Sequence, residues 1–334
     1  MFESPLEDVP QRALTGDLPD EPQVARLLRE AHARYAGLDE GTVADYIPAL
    51  AEADPALFGL ALVEADGTTH LAGDTAAPFT IQSISKAFVL ALVLDAIGHE
   101  AVHRVVGVNN TGLPFNSVIA LELNQGSPMN PMVNAGAIAT TALLPGGWLA
   151  VHEGLSRFAG RSLELDERVL RSESETNHRN QGIADLLTSY GRLAGRPEEM
   201  VEVYTRQCSL RVTAEDLAVM SATLADGGLN PVTGEQVVTA EACRDTLAVL
   251  AACGMYELSG EWQFEIGLPA KSGVSGGIVA IAPGKGALGT FSPLLDRAGN
   301  SVRGQRACAH LSRSLGLNLF ASRPHRTEGE RTDG

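Results

Sequence analysis

The chain of 334 residues is 44% hydrophobic, enough to bury a substantial core as one large fold or two closely packed domains. Its 41 acidic residues outnumber the 25 basic ones and leave a formal net charge of -16. A surface of that sign repels nucleic acid and anionic membranes over about a Debye length, so no nucleic-acid and no membrane partner is expected, and a small amino acid fits the constraint better.

Residues 1–20 are acidic and proline-bearing with no apolar core segment. They read as an N-terminal extension rather than a signal peptide, and a cytoplasmic location is expected. Pro22 to Tyr35 places Val24, Leu27, Leu28 and Ala31 at helical spacing. Phe58 to Glu64 and His70 to Gly73 flank Asp66-Gly67, the signal of a β-hairpin. Phe79 to Ile97 then reads as one helix through Ile84, Phe88, Leu92 and Ile97. Its longest apolar stretch, Ala87 to Ile97, is interrupted by Asp95 and is too short to span a bilayer.

A mostly helical middle follows, broken by loops around Gly107 to Phe115 and Gln125 to Val133. Toward the C-terminus, Phe264 to Ile266, Gly276 to Pro283 and Gly286 to Ser292 read as short apolar strands, and Ser301 to Leu315 as a final helix. Strands at both ends with helices between them predict an α/β plus α architecture: an antiparallel sheet flanked by helices, with a helical domain inserted. The sheet domain would be formed by 21–96 and 256–320 and the helical domain by 97–255, with 321–334 a disordered tail. The four cysteines, Cys208, Cys243, Cys253 and Cys308, have neither zinc-ligand nor disulfide-framework spacing and read as reduced, buried thiols. No metal and no cofactor is expected.

Two segments carry chemistry. Ser83-Ile84-Ser85-Lys86 sets a hydroxyl and an amine three residues apart at the start of an apolar helix, on one helical face. A serine hydroxyl is a poor nucleophile unless a base takes its proton, and a desolvated lysine can be that base. The helix N-terminus adds positive potential where oxyanion charge would develop. The spacing alone also fits a helix cap beside a solvated lysine. The second segment, Lys271-Ser272-Gly273-Val274-Ser275-Gly276-Gly277, matches the K-[ST]-G strand that lines the opposite wall of the site in S-x-x-K acyl enzymes.

Longer stretches make the resemblance specific. Gln82-Ser83-Ile84-Ser85-Lys86, Asn130 through Ile138 and Cys253-Gly254-Met255-Tyr256 resemble the signatures of the serine-dependent glutaminase family. So do Ser172-Glu173 with Arg179-Asn180, Pro269 through Val274, Val43 through Pro48 and Gly299-Asn300-Ser301-Val302. The similarity runs in order from about Arg26 to Leu317.

That resemblance implies a fold like that of serine β-lactamases, penicillin-binding proteins and transpeptidases, a homodimer or homotetramer, and L-glutamine as substrate, hydrolysed to glutamate and ammonia. It implies Ser83 as nucleophile, Lys86 as its base and Tyr256 as a proton relay. Tyr46, Gln82, Ser83, Asn134, Glu173, Asn180, Tyr204, Tyr256 and Val274 would hold the substrate. The backbone of Ser83 and Val274 would bind the oxyanion.

The set is chemically coherent, because Glu173 offers an anion to the substrate ammonium while the asparagines and tyrosines offer neutral donors to its carboxylate. One departure stands out: relatives often carry glycine in the segment 174–178, where this chain has Ser174-Glu175-Thr176-Asn177-His178. A left-handed Asn177 is the expected substitute. Two other readings share some of these residues. A β-lactamase or cell-wall peptidase would share nucleophile and lysine but works outside the cytoplasm, and a non-catalytic amino-acid sensor would have no use for a base beside a serine.

Overall fold

The computed structural model describes residues 18–45 and 47–322. Expectations for residues 1–17, for Tyr46 and for 323–334 lie outside the described residues. Among the described residues, eight strands form two sheets: β1 (Gly59–Glu64), β2 (Thr69–Gly73), β3 (Phe79–Thr80), β4 (Glu164–Leu165), β5 (Leu210–Val212), β6 (Ala270–Ser272), β7 (Gly277–Ala282) and β8 (Gly286–Phe291). The larger sheet has the order β2-β1-β8-β7-β6 and is antiparallel throughout. Through β1 the hairpin around Asp66-Gly67 thus pairs directly with β8, more than two hundred residues later, Gly59 opposite Phe291 and Glu64 opposite Gly286.

Period-two alternation feeds two cores from this one sheet. Leu60, Leu62, Ile278, Ala280 and Leu288 point to one face and pack with Val24, Leu28, Ala307 and Leu311 of the helices Glu21–Tyr35 and Val302–Ser314. Ala61, Val63, Val279 and Ile281 point to the other face, toward Leu217 and Ala218 of the helix Ala214–Ala225 and Phe88 of the helix Ser85–Ile97. Gly289 on β8 lets that helix approach closely, because a Cβ there would lie 2.2 Å from the Ala214 carbonyl oxygen. A third cluster, with Ile138, Ile183, Leu187 and Val201, joins the helices Asn134–Ala142, His178–Ser189 and Pro197–Cys208. An antiparallel sheet flanked by helices on both faces is the β-lactamase-like architecture expected from the sequence.

Three local expectations are corrected. Phe79 to Ile97 is not one helix: Phe79 and Thr80 pair with β5, Gln82–Ile84 form a 3-10 turn, and the α-helix begins at Ser85. That helix is buried on every side from Ser85 to Leu94, as suits an element packed among other helices in the core. Phe264 to Ile266 is not a strand but the end of the helix Ser259–Glu265 and the residue after it. Trp262 and Ile266, four residues apart, enter the core, while Phe264 is left 85% exposed. Asn177 has φ -82°, not a left-handed backbone, and joins the helices Glu167–Thr176 and His178–Ser189 with little interruption.

All four cysteines are buried free thiols. Among the described residues, no helix is long and apolar enough to cross a membrane.

Candidate active site

The serine is delivered by a bend between sheet and helix. The Ile81 N–H donates to the Leu210 carbonyl at 2.8 Å, continuing the β3–β5 pairing. Gln82 then takes φ +50°, one of three non-glycine residues with positive φ among those described. Such a backbone costs on the order of 1–3 kcal/mol and persists only where its surroundings hold it. Here the Gln82 amide donates to Thr80 Oγ1 at 3.3 Å and to Glu173 Oε2 at 3.4 Å. The Ser85 hydroxyl donates to the Gln82 carbonyl at 2.7 Å and accepts from Gln207 Nε2 at 3.2 Å. The two serines of the motif are therefore divided, Ser85 pinning the turn and Ser83 facing the cavity.

Lys86 is 2% exposed. Its Nζ donates to the Met132 carbonyl at 3.1 Å and to Asn134 Oδ1 at 2.7 Å, and lies 5.7 Å from the Tyr204 ring centre. Burial pulls its pKa down from 10.5 to about 8, against the opposing fields of Cys208 and Glu173. A substantial neutral fraction near pH 8 is what a proton acceptor needs.

The segment receiving Lys86 is built by Asn130, whose Oδ1 accepts the N–H groups of Met132 and Val133 at 3.0 and 3.1 Å. This Asx turn aims the Met132 carbonyl inward and starts the helix Asn134–Ala142. Gly136 sits against it, where a Cβ would be 1.9 Å from the Asn130 carbonyl oxygen.

Around this core the other candidates converge. Asn134 Nδ2 donates to Asn180 Oδ1 at 3.0 Å, and the Tyr204 hydroxyl donates to Asn134 Oδ1 at 3.3 Å. Glu173 is 8% exposed, and burial pushes its pKa up from 4.5 to about 7 despite the Gln82 amide and the Lys86 charge. The Tyr256 hydroxyl donates to the Ser272 carbonyl at 3.1 Å, and burial raises its pKa against the opposing influence of the nearby Ser83 hydroxyl. After β6, a turn held by Gly276 N–H to Gly273 carbonyl at 2.9 Å places Val274 opposite Ser83, and the Ser275 hydroxyl ties that turn to the Thr80 carbonyl at 2.6 Å.

Together they enclose a cavity of about 320 Å³, lined by Gln82, Ser83, Asn134, Glu173, Asn180, Tyr204 and Val274. Lys86, hydrogen-bonded to the lining residue Asn134, and Tyr256 do not themselves line it, and Tyr46 falls outside the described residues. The wall also includes Ile47, Phe115, Asn116, Thr176, Asn177 and Arg179, which the sequence reading had not assigned to the site. Of these, Ile47 and Arg179 stood in motifs, and Thr176 and Asn177 in the segment between Glu173 and Arg179. Phe115 and Asn116 come from a loop without periodicity, and nothing in their local sequence signals that its end folds over the pocket. Among the described residues, no group of three or more His, Cys, Asp or Glu side chains could hold a metal ion.

Comparison with known proteins points one way. The family model described as Glutaminase matches residues 41–320. Over 316 residues the chain is 53% identical to Glutaminase 2 of Yersinia pestis, covering 93% of each. Among solved structures, the probable glutaminase ybaS aligns with a TM-score of 0.90 at 43% identity, covering 91% of this chain and 100% of that one. Mglu in its glutamate form aligns with a TM-score of 0.86 at 40% identity, over 92% of this chain and 72% of that chain.

Proposed function

The chain belongs to the glutaminase family, and on that premise we propose that it hydrolyses the side-chain amide of L-glutamine through a Ser83 acyl-enzyme with Lys86 as general base. One observation carries the reading: a buried lysine with pKa lowered to about 8 stands three residues from a serine that faces a cavity lined by Glu173, Asn134 and Asn180. The cavity is sized for an amino acid and is polar where such a ligand is polar.

In this reading the α-ammonium of glutamine meets Glu173, held in place by the Gln82 amide. Arrival of a cation returns the carboxyl to its charged form, so the carboxylate is desolvated only when it has a partner. Asn134, Asn180, Tyr204 and, by the family pattern, Tyr46 receive the carboxylate. The fixed amino-acid end then sets the side-chain amide against Ser83.

Neutral Lys86 takes the hydroxyl proton as Ser83 Oγ attacks the amide carbon, and the resulting oxyanion faces the backbone N–H groups of Ser83 and Val274. As the C–N bond breaks, the leaving nitrogen takes up that proton through Tyr256 and departs as ammonia. Water then attacks the ester, its proton passing to Lys86 and on to Ser83 Oγ, and glutamate is released. Glutamine and one water are consumed for one glutamate and one ammonia. Mglu has been solved in its glutamate form, and that form in a relative of this similarity supports the reading.

Ser83→Ala is the direct test. The protein is expected to fold and bind glutamine while ammonia release falls by at least about a thousandfold, because without a nucleophile only the binding and oxyanion groups remain. Release within tenfold of the unmodified enzyme removes Ser83 from the nucleophile role.

A further inference from the structure

We infer that Lys271 is a positioning residue for Tyr256: it works on the reaction through the phenol rather than by touching the substrate. The inference rests on the proposed role of Tyr256 and deepens it.

Along β6 the side chains alternate, and Ala270 enters the core beneath the sheet. Lys271 therefore points to the opposite face, toward the site. It is nevertheless 0% exposed and does not line the substrate cavity. A lysine meant to read a substrate carboxylate would reach that surface.

Lys271 reaches Tyr256 instead. Its Nζ lies 4.3 Å from the centre of the Tyr256 ring. The same nitrogen donates to the Ser272 carbonyl oxygen at 2.7 Å, and that oxygen also accepts the Tyr256 hydroxyl at 3.1 Å. One nitrogen thus contacts the face of the ring and the group that anchors its hydroxyl.

Tyr256 needs such support because its own backbone does not supply it. The residue has φ +54° and opens a three-residue 3-10 turn after the helix Ala240–Cys253. Gly254 lets this turn lie against β6, since a Cβ there would be 1.7 Å from the Ala270 carbonyl oxygen. The phenol is held by the Ser272 carbonyl and lies near enough to Ser83 for that hydroxyl to oppose the rise in its pKa, so a rotation of the ring would break the first contact and move its oxygen relative to the nucleophile. Burial and the nearby charge of Lys86 hold the Lys271 ammonium well below the usual lysine range.

The test compares Lys271→Met, Tyr256→Phe and the double variant, with Lys271→Gln as a variant that keeps a donor. Folding is followed by thermal unfolding, and kcat and KM for L-glutamine are measured separately. Lys271→Met is expected to lower kcat by at least about tenfold while KM stays within about twofold, and to add nothing further in the Tyr256→Phe background. Lys271→Gln is expected to recover part of the loss. A raised KM with unchanged kcat, full kcat in Lys271→Met, or losses that multiply in the double variant would overturn the inference. If Tyr256→Phe itself retains full kcat, it is the relay role of Tyr256 that fails. Should Lys271→Met not fold, a full-rate Lys271→Gln enzyme overturns the proposal and a slowed one with unchanged KM supports it.

Discussion

Lys86 and Glu173 lie at the same buried site, and burial shifts them toward each other on the pH scale, the lysine down to about 8 and the carboxyl up to about 7. Their active forms differ in proton count. In the proposed mechanism Lys86 must be neutral to accept a proton, and Glu173 must be charged to hold an ammonium. Both requirements fail as pH falls, the first below about 8 and the second below about 7. The expected profile of kcat/KM between pH 5.5 and 8.5 therefore rises throughout, with a slope near one from pH 7 to 8 and near two below pH 7. Glu173→Gln should weaken glutamine binding and remove the lower limb, leaving a slope near one across the range. A flat profile would mean that neither group titrates in catalysis. The sequence supplied both residues through their motifs, whereas their shifted titration follows from packing that brings distant segments around them.

At the scale of elements, the motif glycines are explained by what touches them. Gly136 lies in the helix Asn134–Ala142 with the Asn130 carbonyl oxygen 1.9 Å from where its Cβ would be. Gly136→Ala must push the Asn130–Met132 segment away, and that segment carries the carbonyl that receives Lys86. Overpacking of this kind costs about 1–3 kcal/mol, and displacement of a reacting group by about 1 Å costs on the order of a hundredfold in rate. The variant is expected to remain folded with a lower urea midpoint and to lose most of its kcat. Unchanged activity with a lowered midpoint would separate the close packing from catalysis.

Element boundaries were least legible where the site bends the chain. Periodicity over Phe79 to Ile97 predicts one helix, but Gln82 in a positive-φ conformation converts strand to helix through a 3-10 turn. That bend is held by Ser85, Gln207 and Glu173, the last two far away in sequence. No local propensity encodes it.

At the scale of the whole molecule, the cavity gathers the Ser83 turn, the Val274 turn after the sheet-edge strand, and Glu173, Asn180 and Tyr204 from three separate helices. The span between the amino-acid end and Ser83 is thus fixed by how helices pack against sheet. A ligand gripped at its ammonium and carboxylate cannot slide to compensate for a missing carbon. L-asparagine, one methylene shorter, would lose only about 10 to 200-fold in an apolar pocket, and a larger penalty in kcat/KM is expected here. D-glutamine, whose ammonium is directed away from Glu173, should also be poor. Comparable kcat/KM values for the three substrates would show that the amino-acid end is not read. Activity should likewise survive exhaustive EDTA treatment, because every proposed step uses side chains or backbone groups of this chain; a loss restored by zinc would overturn the mechanism.

The sequence by itself determined the hairpin at Asp66-Gly67, the apolar strands β7 and β8 and the terminal helices, since each depends on residues within about a dozen positions of one another. Its resemblance to the glutaminase family also implied Asn134, Glu173, Asn180, Tyr204, Tyr256 and Val274 as one set. Only the tertiary structure decided that Phe115, Asn116 and Arg179 close the cavity, that Phe264 ends a helix facing solvent, and that Lys271 backs Tyr256 instead of lining the pocket. Those outcomes depend on which distant surfaces exclude water from a side chain. Burial, close approach and shared hydrogen-bond acceptors exist only once the sheet has joined the two ends of the chain.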